Sequence, residues 1–287
     1  MNKIIFLITF VICVFAEDNM YKPLATIPYD KNLASVGKRL YFDVNLSPNK
    51  VSCNTCHNLN LTGSGSNDSG INSDNLTNPP TILNIAYSNL FFKDANITDL
   101  KEQIKKTLRD DMNITPDEFD DWVKFNVTYQ RWFNNIGLAA NYDNLVNVLV
   151  EFEKALVTLD SPFDLYLKGD KDAISIRAKR GLKLFNFYGC SSCHNGSNFG
   201  SNIIADINTS FSEGCKLEDG KVKVPTLRNI TITQPYTYKG AFKNLEDIVR
   251  SMAACQLGIV MPDKDVDDII EFLKTLEGKR PKILEER

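Results

Sequence analysis

Cys53-Asn54-Thr55-Cys56-His57 decides how this chain is read, because the same five-residue pattern returns at Cys190-Ser191-Ser192-Cys193-His194 and the two copies use both histidines of the protein. Cys-x-x-Cys-His is the attachment pattern of a c-type haem: two thiols add across the porphyrin vinyl groups and the next residue sets an imidazole under the iron. One helical turn brings both sulfurs to one porphyrin edge while the histidine reaches the metal. The competing readings are a structural zinc site, a thioredoxin-like redox pair or a disulfide. A zinc site needs four ligands, and a histidine directly after the second cysteine does not easily close on the same tetrahedral ion. Two covalent c-type haems are therefore expected, bound through Cys53, Cys56 and His57 and through Cys190, Cys193 and His194.

Outside these motifs the composition sets a compartment and a size. Residues 1–16 carry a lone Lys3, an apolar run from Ile4 to Phe15 and a small-residue ending at Ala16, the pattern of a secretory signal peptide. The run is short for a membrane span, and no later segment approaches the roughly 20 apolar residues that a span needs. The chain is expected to be exported, to begin at Glu17 when mature, and to work in the periplasm. Loss of Lys3 moves the formal charge from −3 to −4, and nothing in that balance points to nucleic acid. About 270 residues remain, enough for two packed cores of ordinary size. Of the seven cysteines, Cys215 and Cys255 are left over in the mature chain; they either pair in an oxidising compartment or stand as buried thiols.

Apolar spacing makes the chain mainly α-helical, as two cytochrome-c-like helical domains each holding one haem. Helices are expected from Asn32 to Phe42, from Asp99 to Asp110, after a capping box at Thr115-Pro116-Asp117-Glu118, and from about Asn144 to Leu159. Asp160-Ser161-Pro162 and Lys168-Gly169-Asp170 mark the boundary, which divides the chain into 17–165 and 166–287. In the second half, helices are expected from about Ala173 to Tyr188, from Asn244 to Gln256 with a stop at Gly258, and from Asp263 along the stripe Val266, Ile269, Ile270, Leu273 and Leu276. The polar stretches Thr62 to Asn78 and Gly196 to Lys223 follow the two haem motifs as long loops, of a length usually reserved for function or for holding a cofactor.

The run Ser161-Pro162-Phe163-Asp164-Leu165-Tyr166-Leu167-Lys168-Gly169-Asp170, with Gly181-Leu182-Lys183 and Cys190 to Gly196, resembles the bacterial di-haem cytochrome c peroxidases. So do Pro225-Thr226-Leu227-Arg228-Asn229, Thr233-Gln234-Pro235-Tyr236 and Pro80-Thr81, so that the resemblance covers nearly all of the mature chain. It implies an N-terminal haem where hydrogen peroxide reacts, a C-terminal haem that receives electrons from a small donor such as a c-type cytochrome, and commonly a homodimer. It also implies that Met252 is the second axial ligand of the C-terminal haem, although helical spacing alone would make Met252 a core residue beside Ile248 and Cys255. His/Met ligation raises a haem potential, which suits an electron-accepting site. A calcium ion is implied as well, held by the Asn78 side chain and the carbonyls of Thr233 and Pro235; without the resemblance, Asn78 is a turn residue before Pro79-Pro80.

Three departures from the family bear on mechanism. Many members carry a histidine in the loop after the first motif, which blocks the peroxidatic iron until the other haem is reduced; here Thr62 to Asn78 contains none. The N-terminal haem is therefore expected to be open without reductive activation. The family's distal acid/base is a glutamate followed by methionine. Its nearest match is Asp111-Met112, with Glu102 as the fallback and Gln103 at a second distal position, while the residues alone make Asp110-Asp111 a solvated helix end. Finally, Phe91-Phe92 stands where the family commonly bridges its haems with tryptophan, and Trp122 and Trp132 lie elsewhere. Phenylalanine is harder to oxidise, which, with methionine rather than tyrosine at Met252, counts against the related oxidases that mature a protein substrate. A di-haem carrier without catalysis is the other alternative.

Overall fold

In the computed structural model, residues 20–59, 78–206 and 220–285 are described, so the expected signal peptide, the polar loop from Thr62 up to Asn78 and Cys215 lie outside the described residues. The chain is helical, with helices α1 (Lys31–Phe42), α2 (Cys53–Cys56), α3 (Leu100–Asp110), α4 (Pro116–Val123), α5 (Val127–Asn134) and α6 (Tyr142–Lys154) in the first half. The second half holds α7 (Pro162–Leu167), α8 (Ile176–Phe187), α9 (Leu245–Leu257) and α10 (Asp263–Lys274). Strands β1 (Ile204–Asp206) and β2 (Lys221–Lys223) pair antiparallel, Ile204 opposite Lys223. Among the described residues no helix is long and apolar enough to cross a membrane.

Most helices begin where a short polar side chain can take an orphan amide. Asp30 accepts from Asn32 and Leu33, Asp99 from Glu102, Asn141 from Asn144, Ser175 from Ala178 and Asn244 from Asp247. Gly258, at φ 67°, ends α9 in the left-handed conformation. Two expectations need correction. Thr115 is not half of a capping box, because its hydroxyl donates to the Glu118 carboxylate rather than accepting a helix amide. The helix α6 stops at Lys154, short of Leu159, and Ala155 to Asp160 continue as irregular backbone. Ser161-Pro162, within the stretch read as the boundary, opens α7 with a reciprocal Ser161–Asp164 capping box.

Two cores result. One gathers α1, α3, α4, α5 and α6 around Leu40, Leu108, Phe133, Val146 and Phe152; the other gathers α8 and α10 around Phe163, Phe199, Val266 and Phe272. The chain ends cross between them: Tyr21 packs in the second core and Ile283 in the first.

The halves are built on one repeated plan. In α1, Gly37 lies against the backbone of Val148 and the Cβ of Phe152 on α6, and in α8, Gly181 lies in the same way against Asp268 and Phe272 on α10; a Cβ at either glycine would collide with that backbone. The amide of Asn84 donates to the Leu156 carbonyl (2.8 Å) and that of Asn229 to the Leu276 carbonyl (3.2 Å). Both asparagines are left-handed and each opens a short 3-10 turn. The isolated bridges Phe91–Ile97 and Tyr236–Phe242 follow at the same spacing, and then the caps Asp99 of α3 and Asn244 of α9. Helix α3 is thus the counterpart of α9, and α6 of α10, residue for residue.

Candidate haem sites and their surroundings

Helix α2 is a single turn that presents Cys53 and Cys56, with the Ser52 amide donating to Thr55 Oγ1 (3.0 Å) and the His57 amide to the Cys53 carbonyl (2.9 Å). The Tyr41 hydroxyl, from α1, donates to the His57 carbonyl (2.6 Å). His57 is half-buried, and its Nδ1 lies 2.9 Å from the Pro80 carbonyl. A carbonyl only accepts, so Nδ1 carries the proton and Nε2 keeps its lone pair. Burial pushes the imidazole down to about 4, so it stays neutral at ordinary pH. In the second half, Cys190–Ser192 form a 3-10 turn after Gly189 (φ 92°), and the His194 amide donates to the Cys190 carbonyl (2.9 Å). His194 Nδ1 faces the Phe199 carbonyl (3.3 Å) and the Pro225 backbone. Pro80 and Pro225 hold equivalent places in the repeat, four residues before Asn84 and Asn229, so the histidine of each Cys-x-x-Cys-His motif faces the same turn.

The four thiols are free, and burial pushes Cys53 up to about 12 and Cys190 to about 11. A thioredoxin-like pair needs a depressed thiol, so the redox reading does not fit these sites. Half-buried thiols one turn apart, beside an imidazole oriented by a backbone carbonyl, do fit the donor set of a covalent haem. Polar atoms left without partners among the described residues fit it too. The first half holds the buried oxygens Gln103 Oε1 and Glu153 Oε2, and the second the buried amide nitrogens Asn198 Nδ2 and Gln256 Nε2. Cys255 is buried and disulfide-bonded, so the free-thiol reading does not hold for it.

The distal candidates all lie on or just after α3. Asp111 is its exposed C-cap; partial desolvation and then the charge of Asp110 push its carboxyl upward, and its own charge in turn raises Cys56. Asp111 therefore stands beside the first thiol pair rather than on a remote helix end. Met112 follows, buried, with its sulfur 3.8 Å from Cys53 Sγ. Gln103 donates from Nε2 to Thr107 Oγ1 (3.1 Å). Glu102 is exposed and paired with Lys105 at 2.8 Å. On α9, Met252 is half-buried against Tyr236, Ile248 and Cys255.

The seam between the halves carries the remaining residues. Phe91 is buried, the Phe92 ring lies under Lys106 Nζ (5.4 Å), and the amides of Asn89 and Leu90 donate to the Ser201 carbonyl (3.2 and 3.1 Å). Trp122 and Trp132 flank Tyr129 instead, each 5.0 Å from its ring centre. Asn78 reaches across the seam: its amide donates to the Tyr238 carbonyl (2.6 Å), and its side chain meets the carbonyls of Pro235 (2.6 Å) and Thr237 (3.0 Å). Thr233 sits just before, at the end of the 3-10 turn Ile230–Ile232. Arg228, fully buried, binds Asp164 (2.8 Å), Ser161 Oγ (3.0 Å) and the Ser197 carbonyl (2.9 Å), joining the two most distinctive runs of the sequence to the loop after His194.

Tyr41, Thr107 and Glu153 went unnoticed in the sequence, where Pro80 enters through the family resemblance. The first two have no pattern to flag them, but Glu153 is an acid on the apolar stripe Val146, Leu149, Phe152 and Leu156, and that signal was available.

Comparison with known proteins agrees with this arrangement. The family described as di-haem cytochrome c peroxidase matches residues 31–172, and the cytochrome c family matches residues 178–277. Cytochrome c551 peroxidase of Pseudomonas aeruginosa is 32% identical over 282 residues, covering 89% of this chain and 82% of the relative. Its namesake in Nitrosomonas europaea is 32% identical, covering 93% and 87%. Methylamine utilization protein MauG of Methylophilus methylotrophus is 26% identical, covering 93% and 88%. Among solved structures, a MauG-like protein associated with microbial copper homeostasis superposes with a TM-score of 0.71 at 19% identity, covering 90% of this chain and 93% of that one. The diheme peroxidase BthA of Burkholderia thailandensis follows at 0.64 and 20%, covering 90% and 88%.

Proposed function

Because the chain belongs to the di-haem cytochrome c peroxidase family, we propose that it is a periplasmic enzyme that reduces hydrogen peroxide to water at an open N-terminal haem, drawing electrons through the C-terminal haem from a small c-type cytochrome. The bound haems supply an iron that cleaves the O–O bond and a second iron that stores an electron. Each peroxide takes two electrons and two protons.

The observation that carries the open site is the correspondence of α3 and α9. Counting from the matching caps Asp99 and Asn244, the place of Met252 on α9 is taken by Thr107 on α3. Threonine offers no thioether, its hydroxyl is engaged by Gln103, and both histidines, each with Nδ1 turned to a backbone carbonyl, would be taken up as the proximal ligands of the two haems. His57, held by Pro80, is the proximal ligand of the reacting haem. Asp111 takes a proton from one peroxide oxygen and returns it to the other, a role helped by its raised affinity for protons. Gln103 offers the unpartnered Oε1 as an acceptor for the peroxide O–H, while Glu102, tied to Lys105 in solvent, is set aside. His194 and Met252 ligate the electron-receiving haem. We also assign a calcium ion to Asn78, Thr233 and Pro235, as the family resemblance implies: Asn78 Nδ2 donates to the carbonyls of Pro235 and Thr237, which sets the side-chain amide against the second half, and the amide turned about its axis would offer Oδ1 to the ion. The haem domains are taken as 17–165 and 166–287, and the apolar leader supports export.

Oxidised protein should show one high-spin and one low-spin haem, and should turn over peroxide with a reduced c-type cytochrome without pre-reduction. Two low-spin haems would remove the open site. Absence of peroxide consumption even after pre-reduction would make the protein an electron carrier.

A further inference from the structure

Helix α6 lays Val146, Leu149, Phe152 and Leu156 into the first core, and Glu153 goes in with them, only 8% exposed and with Oε2 bonded to nothing. A buried carboxyl without a full set of partners is costly, so the place demands a reason. The repeat shows what the place accepts when no charge chemistry is required. Gly37 against Phe152 and Gly181 against Phe272, with Asn84 on Leu156 and Asn229 on Leu276, fix the register of α6 on α10 from both sides. In that register the counterpart of Glu153 is Leu273, 3% exposed in the second core. An apolar side chain satisfies the geometry, and the carboxyl belongs only to the half that carries Cys53.

Its surroundings narrow the role. The charge of Glu153 raises both Cys53 on α2 and Tyr41 on α1, so the carboxyl lies beside the thiol to which the N-terminal haem is bolted. Tyr41 and Cys53 are the titratable groups that face it, and Cys53 becomes a thioether in the haem protein. Helices α3 and α4 and the turn Ile85–Tyr87 also pack on α6, yet none of their charged groups shifts Glu153. Burial alone raises it, to about 8, so at neutral pH it is a neutral acid with no cation to stabilise its anion. The nearest positive charge that can appear there is the one left on the iron when an electron departs.

We propose that Glu153 is the charge-compensating residue of the N-terminal haem: it holds a proton while the iron is ferrous and loses that proton to solvent when the iron becomes ferric. One electron leaves the iron for the oxidant, peroxide in turnover or a redox mediator in a titration, and one proton leaves the carboxyl; reduction returns both. The inference rests on the haem assignment at Cys53 to His57 and adds a proton-holding group distinct from Asp111.

The test is a mediated redox titration of the holoprotein between about pH 6 and about pH 9, without peroxide, reading each haem by its own absorption. The midpoint of the N-terminal haem should fall as pH rises, and that dependence should be lost in both Glu153→Gln and Glu153→Leu, the second copying Leu273, while the C-terminal midpoint is the same in all three proteins. A flat N-terminal midpoint in the unmodified protein overturns the proposal. So does a dependence that survives in either variant, which would assign it to the haem propionates or to an iron-bound water. Haem content, read separately as two covalent haems per chain, reports on the underlying attachment and not on Glu153.

Discussion

Asp111 shows how one side chain can be read two ways until its neighbours are known. As a letter it is the second of two acids ending a helix, and exposure agrees with that. Its effect on Cys56 places it beside the haem attachment, and desolvation makes it a better proton holder than a free surface carboxylate. Asp110, one residue earlier, is paired with Lys106 and Arg109 and is held down at about 2, so it cannot take a proton at working pH. Asp111→Asn keeps the shape and removes the base. It should lower kcat by about 10²-fold or more while both haem spectra stay as they are; turnover within a few-fold of the unmodified protein would return Asp111 to the status of a helix cap. The haem anchors were legible letter by letter, because two thiols and an imidazole in fixed spacing have few other uses. Glu153 was not, since an acid on an apolar stripe becomes meaningful only once its burial and its counterpart Leu273 are visible.

At the scale of elements, α1, α3, α6, α8, α9 and α10 were foreseen from caps and apolar spacing, whereas α5, α7 and the repeat that relates the halves were not. Equivalent residues stand at different offsets along the chain, because the first half carries α4 and α5 between α3 and α6, where the second half runs almost directly from α9 into α10. The structural marks of equivalence are backbone marks: a left-handed asparagine, a bridge, a glycine with no room for a Cβ. Once they are seen, the two halves differ at few telling places: Thr107 for Met252, Asp111 for Gln256 and Glu153 for Leu273. Each exchange removes a thioether or adds carboxylate oxygen in the half that carries Cys53. Thr107→Met should therefore give the first half the ligand of the second. The oxidised N-terminal haem should pass from high spin to low spin and peroxide turnover should drop, with the C-terminal haem unchanged; a haem that stays high spin would mean that α3 and α9 do not face their irons alike.

For the whole molecule, the boundary between halves is less a linker than a lock. Arg228 and Asp164 of α7 form a buried ion pair beside it, on the second-half side, and breaking such a pair by removing one partner strands the other charge. The chain ends reinforce the lock by crossing it: Tyr21 stacks on Phe199 of the second core (4.6 Å between ring centres), while Ile283 enters the first core after Arg280 has bonded the Leu59 carbonyl (2.8 Å). Lys38 of α1 closes this clasp on the Ile283 carbonyl (2.7 Å). None of this shows in hydrophobic periodicity, which reports what a residue buries and not against which half. The crossing means that the segment just after His57 is steadied by the far end of the chain. Ile283→Ala should cost about 2–5 kcal/mol, and the loss should appear first in the N-terminal haem, as a lower midpoint in denaturant for its absorption than for that of the C-terminal haem. If both signals instead fall together by the same amount, the two cores unfold as one body and the clasp serves the whole rather than the half it touches.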